Sequence, residues 1–448
     1  MTGAVTGAVT GAVTGAVAGA VADQRSGAVG RGASGAPAHV IGDDAEALAV
    51  AAGLAEEFRA GAAARDAERA LPRAEVDRLS ASGLLAVTVP RAYGGAEVSA
   101  RTLAEVFRLL AAADPSLAQI PQSHFVYMNV LLRQGSAAQR EFFLGQVLAG
   151  RRFGNAQSEK GTEHVQDIRT RLTPEPDGSY VLTGEKHYAT GALFADWIPV
   201  LARLGTAAGA GAGGVAADAA QDGPLHVAYV RSDAPGVTVL DDWAGMGQRT
   251  TAGGTVRLAR VAVAADRVVP HHLTFEGPQL HGAFAQLLHA AIDVGIASGA
   301  LEEAAAFVRT RSRPWFEAVG EGYGTAPDDP LLVQRFGELG LRVRASAALL
   351  AAAADAVDAA GADLTDATAA EASIAVAAAK VHAAGAAVET GSALFEVAGT
   401  RAADDGLNLH RYWRDARTHT LHDPVRWKVW HIGRYVLTGT PPPRHGLL

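Results

Sequence analysis

Near its end the chain carries Arg414-Asp-Ala-Arg-Thr-His-Thr-Leu-His-Asp-Pro424. Two imidazoles, His419 and His422, stand three residues apart, with the Asp423 carboxylate next to the second. An imidazole titrates near neutrality, so either ring can give or take a proton. Two histidines and a carboxylate at this spacing are also ligand-like for a metal, and a satisfied structural pair is the plain alternative. Upstream, Lys186-His-Tyr-Ala-Thr190 sets a ring and a hydroxyl two residues apart. Alone, that alternation reads as one face of a β-strand. Gly154-Asn-Ala-Gln-Ser-Glu159 offers Asn155, Gln157 and Ser158 in a row, short polar groups that also suit a turn. Arg309, Arg311 and Arg313 precede Trp315. A guanidinium fork fits a phosphate, and a basic helix end is equally favourable to the helix dipole. His124 adds a further imidazole at a helix start, where an ordinary helix-terminal role is as good a reading.

The elements that must position these groups fall into three stretches. From about 39 to 150 the apolar spacing is helical. Asp43 and Asp44 open a run through Phe58, Ser99 opens another through Leu110, and Asp114-Pro115-Ser116 breaks it. Ser136 with Gln139 predicts a capping box. From 151 to 272 short alternating runs at 179–183, 197–201, 226–230, 236–240 and 255–258 predict an antiparallel β domain. Residues 205–223 read as a flexible inserted loop. From 273 to 440 helices are expected over 278–312, 330–360, 366–400 and 424–437, a four-helix bundle whose Ala-rich third member permits close packing. The Gly/Ala/Val repeats of 1–38 read as a disordered tail, and 441–448 as a second tail. The fold class expected is therefore α+β, in the order α, β, α.

Composition narrows the classes. The 448 residues carry a net charge of −8, which disfavours a general nucleic-acid binder. With 0 cysteines there are no disulfides, thiol nucleophiles or iron–sulfur ligands, as fits a cytoplasmic protein. No clean apolar run of about eighteen residues is visible, so no membrane span is expected. The N-terminal repeats lack the basic start and leucine-like core of a secretory signal. No Gly-x-Gly-x-x-Gly joins a strand directly to a helix and no Walker loop occurs, so neither a Rossmann unit nor a nicotinamide site is expected.

In order and spacing, these motifs resemble the acyl-CoA dehydrogenase superfamily, from about residue 39 to the C-terminus. Gly191-Ala-Leu-Phe-Ala-Asp-Trp197, Arg417-Thr-His-Thr-Leu-His-Asp-Pro424 and Pro442-Pro-Arg-His-Gly446 look most like its flavin-dependent monooxygenase branch, the sulfur-acquisition oxidoreductases. The resemblance implies a helical N-terminal domain, a central β domain and a C-terminal four-helix bundle. It implies that Tyr188 walls the flavin and that the Thr190 hydroxyl reaches N5. Asn155, Gln157 and Ser158 would bind the isoalloxazine edge, and Arg313 the phosphate. Glu396 and Arg401 would close over the flavin, from a neighbouring subunit of a homotetramer. His422 would be the general acid/base beside a C4a-hydroperoxyflavin, His419 its supporting partner, and His124 would lie near the substrate. No metal is implied. The cofactor expected is FMN, reduced by a separate flavin reductase, with FAD as the alternative. O2 and a small organosulfur compound would be the substrates, with no nucleic-acid or membrane partner. Acyl-CoA dehydrogenases commonly carry a catalytic Glu where this chain has Asp423. An FAD-dependent dehydrogenase is therefore the runner-up, and a non-catalytic flavin-binding scaffold the third reading.

Overall fold

A computed structural model describes residues 38–205 and 223–448. The tail read over 1–38 and the loop read over 205–223 lie, but for their end residues, outside them. The N-terminal part is built from α1 (Asp44–Glu68), α2 (Arg73–Ala81), α3 (Ala100–Ala113), α4 (Pro115–Gln119), α5 (Gln122–Gln134) and α6 (Ala137–Leu148). Their starts follow from side-chain caps. Asp43 accepts from Glu46 N and Ser99 from Thr102 N, while Asp114 accepts from Ser116 N and Leu117 N with Pro115 in the first turn. Ser136 and Gln139 complete the expected capping box.

The sheet contains β1 (Arg171–Pro174), β2 (Tyr180–Lys186), β3 (Trp197–Leu204), β4 (Leu225–Arg231), β5 (Val237–Val239), β6 (Val256–Val263) and β7 (Val268–Val269). Its order is β5-β6-β2-β1-β3-β4-β7. It is mixed rather than wholly antiparallel, because β3 lies parallel to β1. The reason is topological. β1 and β2 form a hairpin, and residues 187–196 then carry the chain past β1 to its free edge, where β3 runs in the direction of β1. That crossing segment holds Tyr188 and Thr190, so the departure from the expected sheet is also what presents them.

The C-terminal part contains α7 (His281–Arg311), α8 (Phe316–Gly320), α9 (Pro330–Ala362), α10 (Asp366–Ala398), α11 (His410–His419) and α12 (Val425–Thr438). α7 is the buried centre, packed against α10, α9 and α3. A Cβ at Gly295 would lie 2.5 Å from the Ala111 side chain and from Arg108 O, so glycine is what lets α3 approach. Among the described residues, two helices are long and apolar enough to cross a bilayer, α7 and α9. In α7 the apolar run is interrupted by Gln286, His289 and Asp293, which hides it in the sequence. Its most apolar window is 89% buried within the fold, as befits a core helix.

Candidate functional site

Lys186 ends β2 fully buried, with Nζ donating to Glu159 Oε1 at 2.7 Å and to Gln157 O at 3.0 Å. Glu159 also accepts from the Thr170 hydroxyl (2.7 Å) and from Arg169 N (2.8 Å). This ion pair fastens the 154–159 segment beside the end of β2. Burial pushes the Lys186 ammonium down to about 8 against the opposing pull of Glu159. Beyond it, Tyr188 adopts φ +56°, a left-handed conformation that is uncommon for an aromatic residue. Three bonds hold that turn: Ala189 N to Gly254 O, Thr190 N to Tyr188 O, and Gly191 N to Thr251 O. The Tyr188 ring, 50% exposed, meets Trp243 edge-on at 6.1 Å, and Asn155 Nδ2 donates to Tyr188 O at 3.4 Å. Asn155, Gln157, Ser158, Tyr188 and Thr190 are thus gathered along one stretch of the β domain, with their polar ends partly open to solvent.

A loop from the β domain reaches the bundle at α11. Gly247 lies so close that a Cβ would stand 2.1 Å from Arg414 O. Gln248 N donates to Asp415 at 2.6 Å, and Arg414 bonds Met246 O at 2.6 Å and Asp66 on α1. Burial pushes the Asp415 carboxyl up to about 7, and the Asp66 charge adds to the effect. The folded state therefore holds this proton more tightly than the unfolded chain. The contribution is complete below the ordinary carboxyl range and is lost as pH rises through about 7. Asp415→Asn keeps an acceptor for Gln248 N and removes the titration. Thermal melts should show the variant a few degrees more stable than the parent at pH 8, with the difference gone at pH 5.

One turn beyond Asp415, α11 ends in the histidine cluster. His419 is buried, with Nδ1 2.5 Å from Asp293 Oδ1 and Nε2 3.0 Å from His289 Nδ1. Asp293 Oδ2 accepts from the buried Lys380 at 2.8 Å. The His422 ring stacks on His289 at 3.9 Å, its side chain 40% exposed. Asp423 is buried in an ion pair with Lys428, which also donates to Leu447 O at 2.7 Å. Although burial opposes it, the His422 contact and the Lys380 and Lys428 charges hold the Asp423 carboxyl far below its ordinary range. The ligand-like set does not converge: both His419 ring nitrogens face Asp293 and His289.

The remaining sequence candidates are placed elsewhere. His124 is buried, with Nδ1 accepting from Phe153 N at 3.0 Å and Nε2 facing Leu85 O at 2.9 Å. Both nitrogens are committed to backbone, and burial pushes the ring down to about 4. His124 thus pins the helical part to the β part through backbone bonds at both ring nitrogens. Arg313 is exposed just past α7, Glu396 pairs with Arg335 at 3.1 Å, and Arg401 donates to Arg311 O at 2.5 Å. At about 1.5 Å per residue, Arg311 lies about 33 Å along α7 from His289. Arg313, just past that end, therefore lies too far from His422 within one chain to share an FMN-sized ligand with it, whereas Glu396 lines one groove together with Thr420 and Val425, which flank the His422 turn. His289, Asp293 and Lys380 were not found from sequence. The available signal was a polar pair at i, i+4 in an apolar helix, and one lysine in an alanine run.

The donor set fits a flavin. A flat ring with an amide edge matches an aromatic wall of Tyr188 and Trp243 bordered by short polar side chains, and both amide atoms of the buried Gln248 beside Trp243 lack a partner. Comparison with known proteins agrees. The chain matches the acyl-CoA dehydrogenase N-terminal domain over residues 45–151, the middle domain over 154–261 and the C-terminal domain over 287–427. It is 36% identical to dibenzothiophene monooxygenase of Rhodococcus erythropolis, across 89% of this chain and 95% of that protein. It is 31% identical to a probable FMNH2-dependent monooxygenase, SfnC, of Pseudomonas putida, across 88% and 96%. The crystal structure of FMN-bound TdsC from Paenibacillus sp. A11-2 superposes with a TM-score of 0.82 at 33% identity, covering 90% of this chain and 100% of that one. The chain belongs to the acyl-CoA dehydrogenase superfamily, in the monooxygenase branch that includes dibenzothiophene monooxygenase.

Proposed function

We propose that the protein is a reduced-FMN-dependent monooxygenase acting on a small organosulfur compound with O2. The observation that carries this reading is the state of Asp423. The carboxylate that stands where dehydrogenases commonly have their base is buried against Lys428, while the imidazole beside it is 40% exposed. A carboxylate stabilised this strongly is a poor base for an α-proton. His422 has Nδ1 turned toward Asp423 at 3.6 Å, which leaves Nε2 for exchange.

Reduced FMN, when bound, supplies the two electrons that divide O2 into one transferred oxygen atom and one water. The chain's own residues then have separable tasks. Tyr188 and Trp243 would wall the ring, and Asn155, Gln157 and Ser158 would meet its polar edge. The Thr190 hydroxyl would be the hydrogen-bond partner of N5, and His422 would move the proton. Arg313 would serve the phosphate of a neighbouring subunit's site, since in its own chain it lies too far from His422, and Glu396 and Arg401 would close over the flavin. Outward apolar residues on α9 (Leu331, Leu341) and α12 (Trp427, Leu437) support a homotetramer. The absence of a nicotinamide motif supports a separate flavin reductase, and the absence of cysteine supports a cytoplasmic setting.

Anaerobic titration with FMN and FAD, followed by butyryl-CoA, tests the reading. FMN should bind at least as tightly as FAD, and the thioester should leave the flavin oxidised. Bleaching of bound FAD by the thioester would establish the dehydrogenase instead.

A further inference from the structure

The buried groups behind His422 have no task in that account, yet their arrangement is specific. Asp293 and Lys380 are 0% exposed, His289 2% and His419 4%. They come from three helices: His289 and Asp293 one turn apart on α7, Lys380 on α10, and His419 at the end of α11. A buried ion pair adds little to stability compared with apolar packing, so cohesion alone is a weak reason for it. The hydrogen-bond inventory fixes the direction of every bond in the string. Lys380 only donates and an ionised Asp293 only accepts. His419 must therefore present Nδ1–H to Asp293, which leaves its Nε2 as an acceptor. That nitrogen takes the Nδ1–H of His289 across 3.0 Å. The outer nitrogen of His289, Nε2, is left as a bare lone pair on a ring stacked 3.9 Å from His422.

Such a string can take up one proton without rearranging its heavy atoms. A proton arriving at His289 Nε2 moves the Nδ1 proton to His419 Nε2. One N–H bond forms at each ring, one breaks at His289, and the positive charge settles on His419 against Asp293. We propose that His289 and His419 form a two-imidazole proton relay, anchored by Asp293 and Lys380, that sets the protonation state of His422. While the string is neutral, His422 can hold a proton; once the string is charged, His422 is driven to release its own. The groups facing this set are His289 and Asp293 on α7, Lys380 on α10, His419 on α11, His422 and Asp423 in the following turn, and Lys428 on α12. Burial, with His422 and Lys380 next, holds His289 well below its ordinary range, which agrees with a neutral resting ring. The service to His422 rests on the monooxygenase reading; the orientation of the string does not. All four are positioning residues, acting through His422.

The test has one readout without flavin and one with it. Low-field proton NMR of the flavin-free protein should show two hydrogen-bonded imidazole protons, both absent in His419→Gln. Asp293→Asn should lose the His419 signal. In the FMNH2-loaded enzyme, oxidising dibenzothiophene, Asp293→Asn should lower kcat by roughly 100-fold with KM little changed. Because this variant strands a buried ammonium, Asp293→Asn/Lys380→Met is the second probe. It should recover the melting temperature but not kcat. Recovery of both would overturn the relay and leave a structural ion pair. Low-field signals that are missing from the parent, or a His419 signal that survives in Asp293→Asn, would overturn the assigned orientation. A parent that shows the signals but oxygenates neither dibenzothiophene nor dialkyl sulfides would refute the service to oxygen transfer while the string itself stands.

Discussion

Replacing His422 by alanine should lower kcat for sulfur oxygenation by roughly 100-fold or more, the usual share of a positioned acid or base. FMN affinity should stay within about twofold, because the ring-binding residues lie on the β domain and none of them touches His422. The loss follows from the geometry of the turn after α11. His422 is the exposed imidazole of the cluster, its Nδ1 faces the Asp423 carboxylate, and its ring rests on the neutral His289. Neither His419 nor Asp423 can substitute. His419 is bonded at both nitrogens and Asp423 is held as an anion by Lys428. The expected signature is uncoupling: FMNH2 is still consumed with O2, and hydrogen peroxide replaces oxygenated product. Parallel assays of peroxide and of product separate this from a loss of binding. A variant that retains full coupling would show that the proton passes elsewhere.

Lys186→Met should be the most destabilising single change in the β domain, by about 3–5 kcal/mol, the range for removing one partner of a buried ion pair. The cost comes from Glu159. With Lys186 gone, its Oε1 keeps only the Thr170 bonds in a buried setting. The structure also predicts where the damage appears. Lys186 bonds Gln157 O and Glu159 together, so its loss frees the segment that carries Asn155, Gln157 and Ser158. FMN affinity should fall along with the melting temperature. Lys186→Met/Glu159→Leu removes both charges and should regain most of the stability but little of the affinity, since the bond to Gln157 O is not restored. Chemical denaturation and FMN titration of both variants check this. A single variant as stable as the parent would show that the pair does no more than neutralise itself.

Much of the scaffold was legible because it rests on local chemistry. The helix starts at Asp43, Ser99, Asp114 and Ser136 are set by side chains that bond amides two or three residues onward, and such spacing is visible in a sequence. Periodicity likewise located α7, α9, α10 and α12 to within a few residues. What escaped was non-local. β1 is a short strand whose pairing with β3 depends on a crossing loop that no alternation records. α11 carries few apolar residues and is held by side-chain bonds to α1 and to the 246–248 loop, partners more than 150 residues away in sequence.

The same division holds for the site. Thr190, Tyr188 and His422 lie in short motifs that a resemblance could carry over. His289, Asp293 and Lys380 are single polar residues in apolar helices, and they acquire meaning only when α7, α10 and α11 meet. His124 shows the converse. A lone histidine near a helix start suggests chemistry, but whether its nitrogens are free is decided by Leu85 and Phe153, one on each side of it in the chain.

The central claim is oxygen transfer from O2, and isotope labelling in a single turnover tests it most directly. The protein is loaded anaerobically with chemically reduced FMN and dibenzothiophene, then mixed with ¹⁸O2, and the organic products are weighed by mass spectrometry. The expected product carries one ¹⁸O atom on sulfur, with no dependence on any CoA thioester. Reoxidation of the flavin to peroxide alone, across dibenzothiophene and a series of dialkyl sulfides, together with anaerobic reduction of bound FAD by butyryl-CoA, would contradict it.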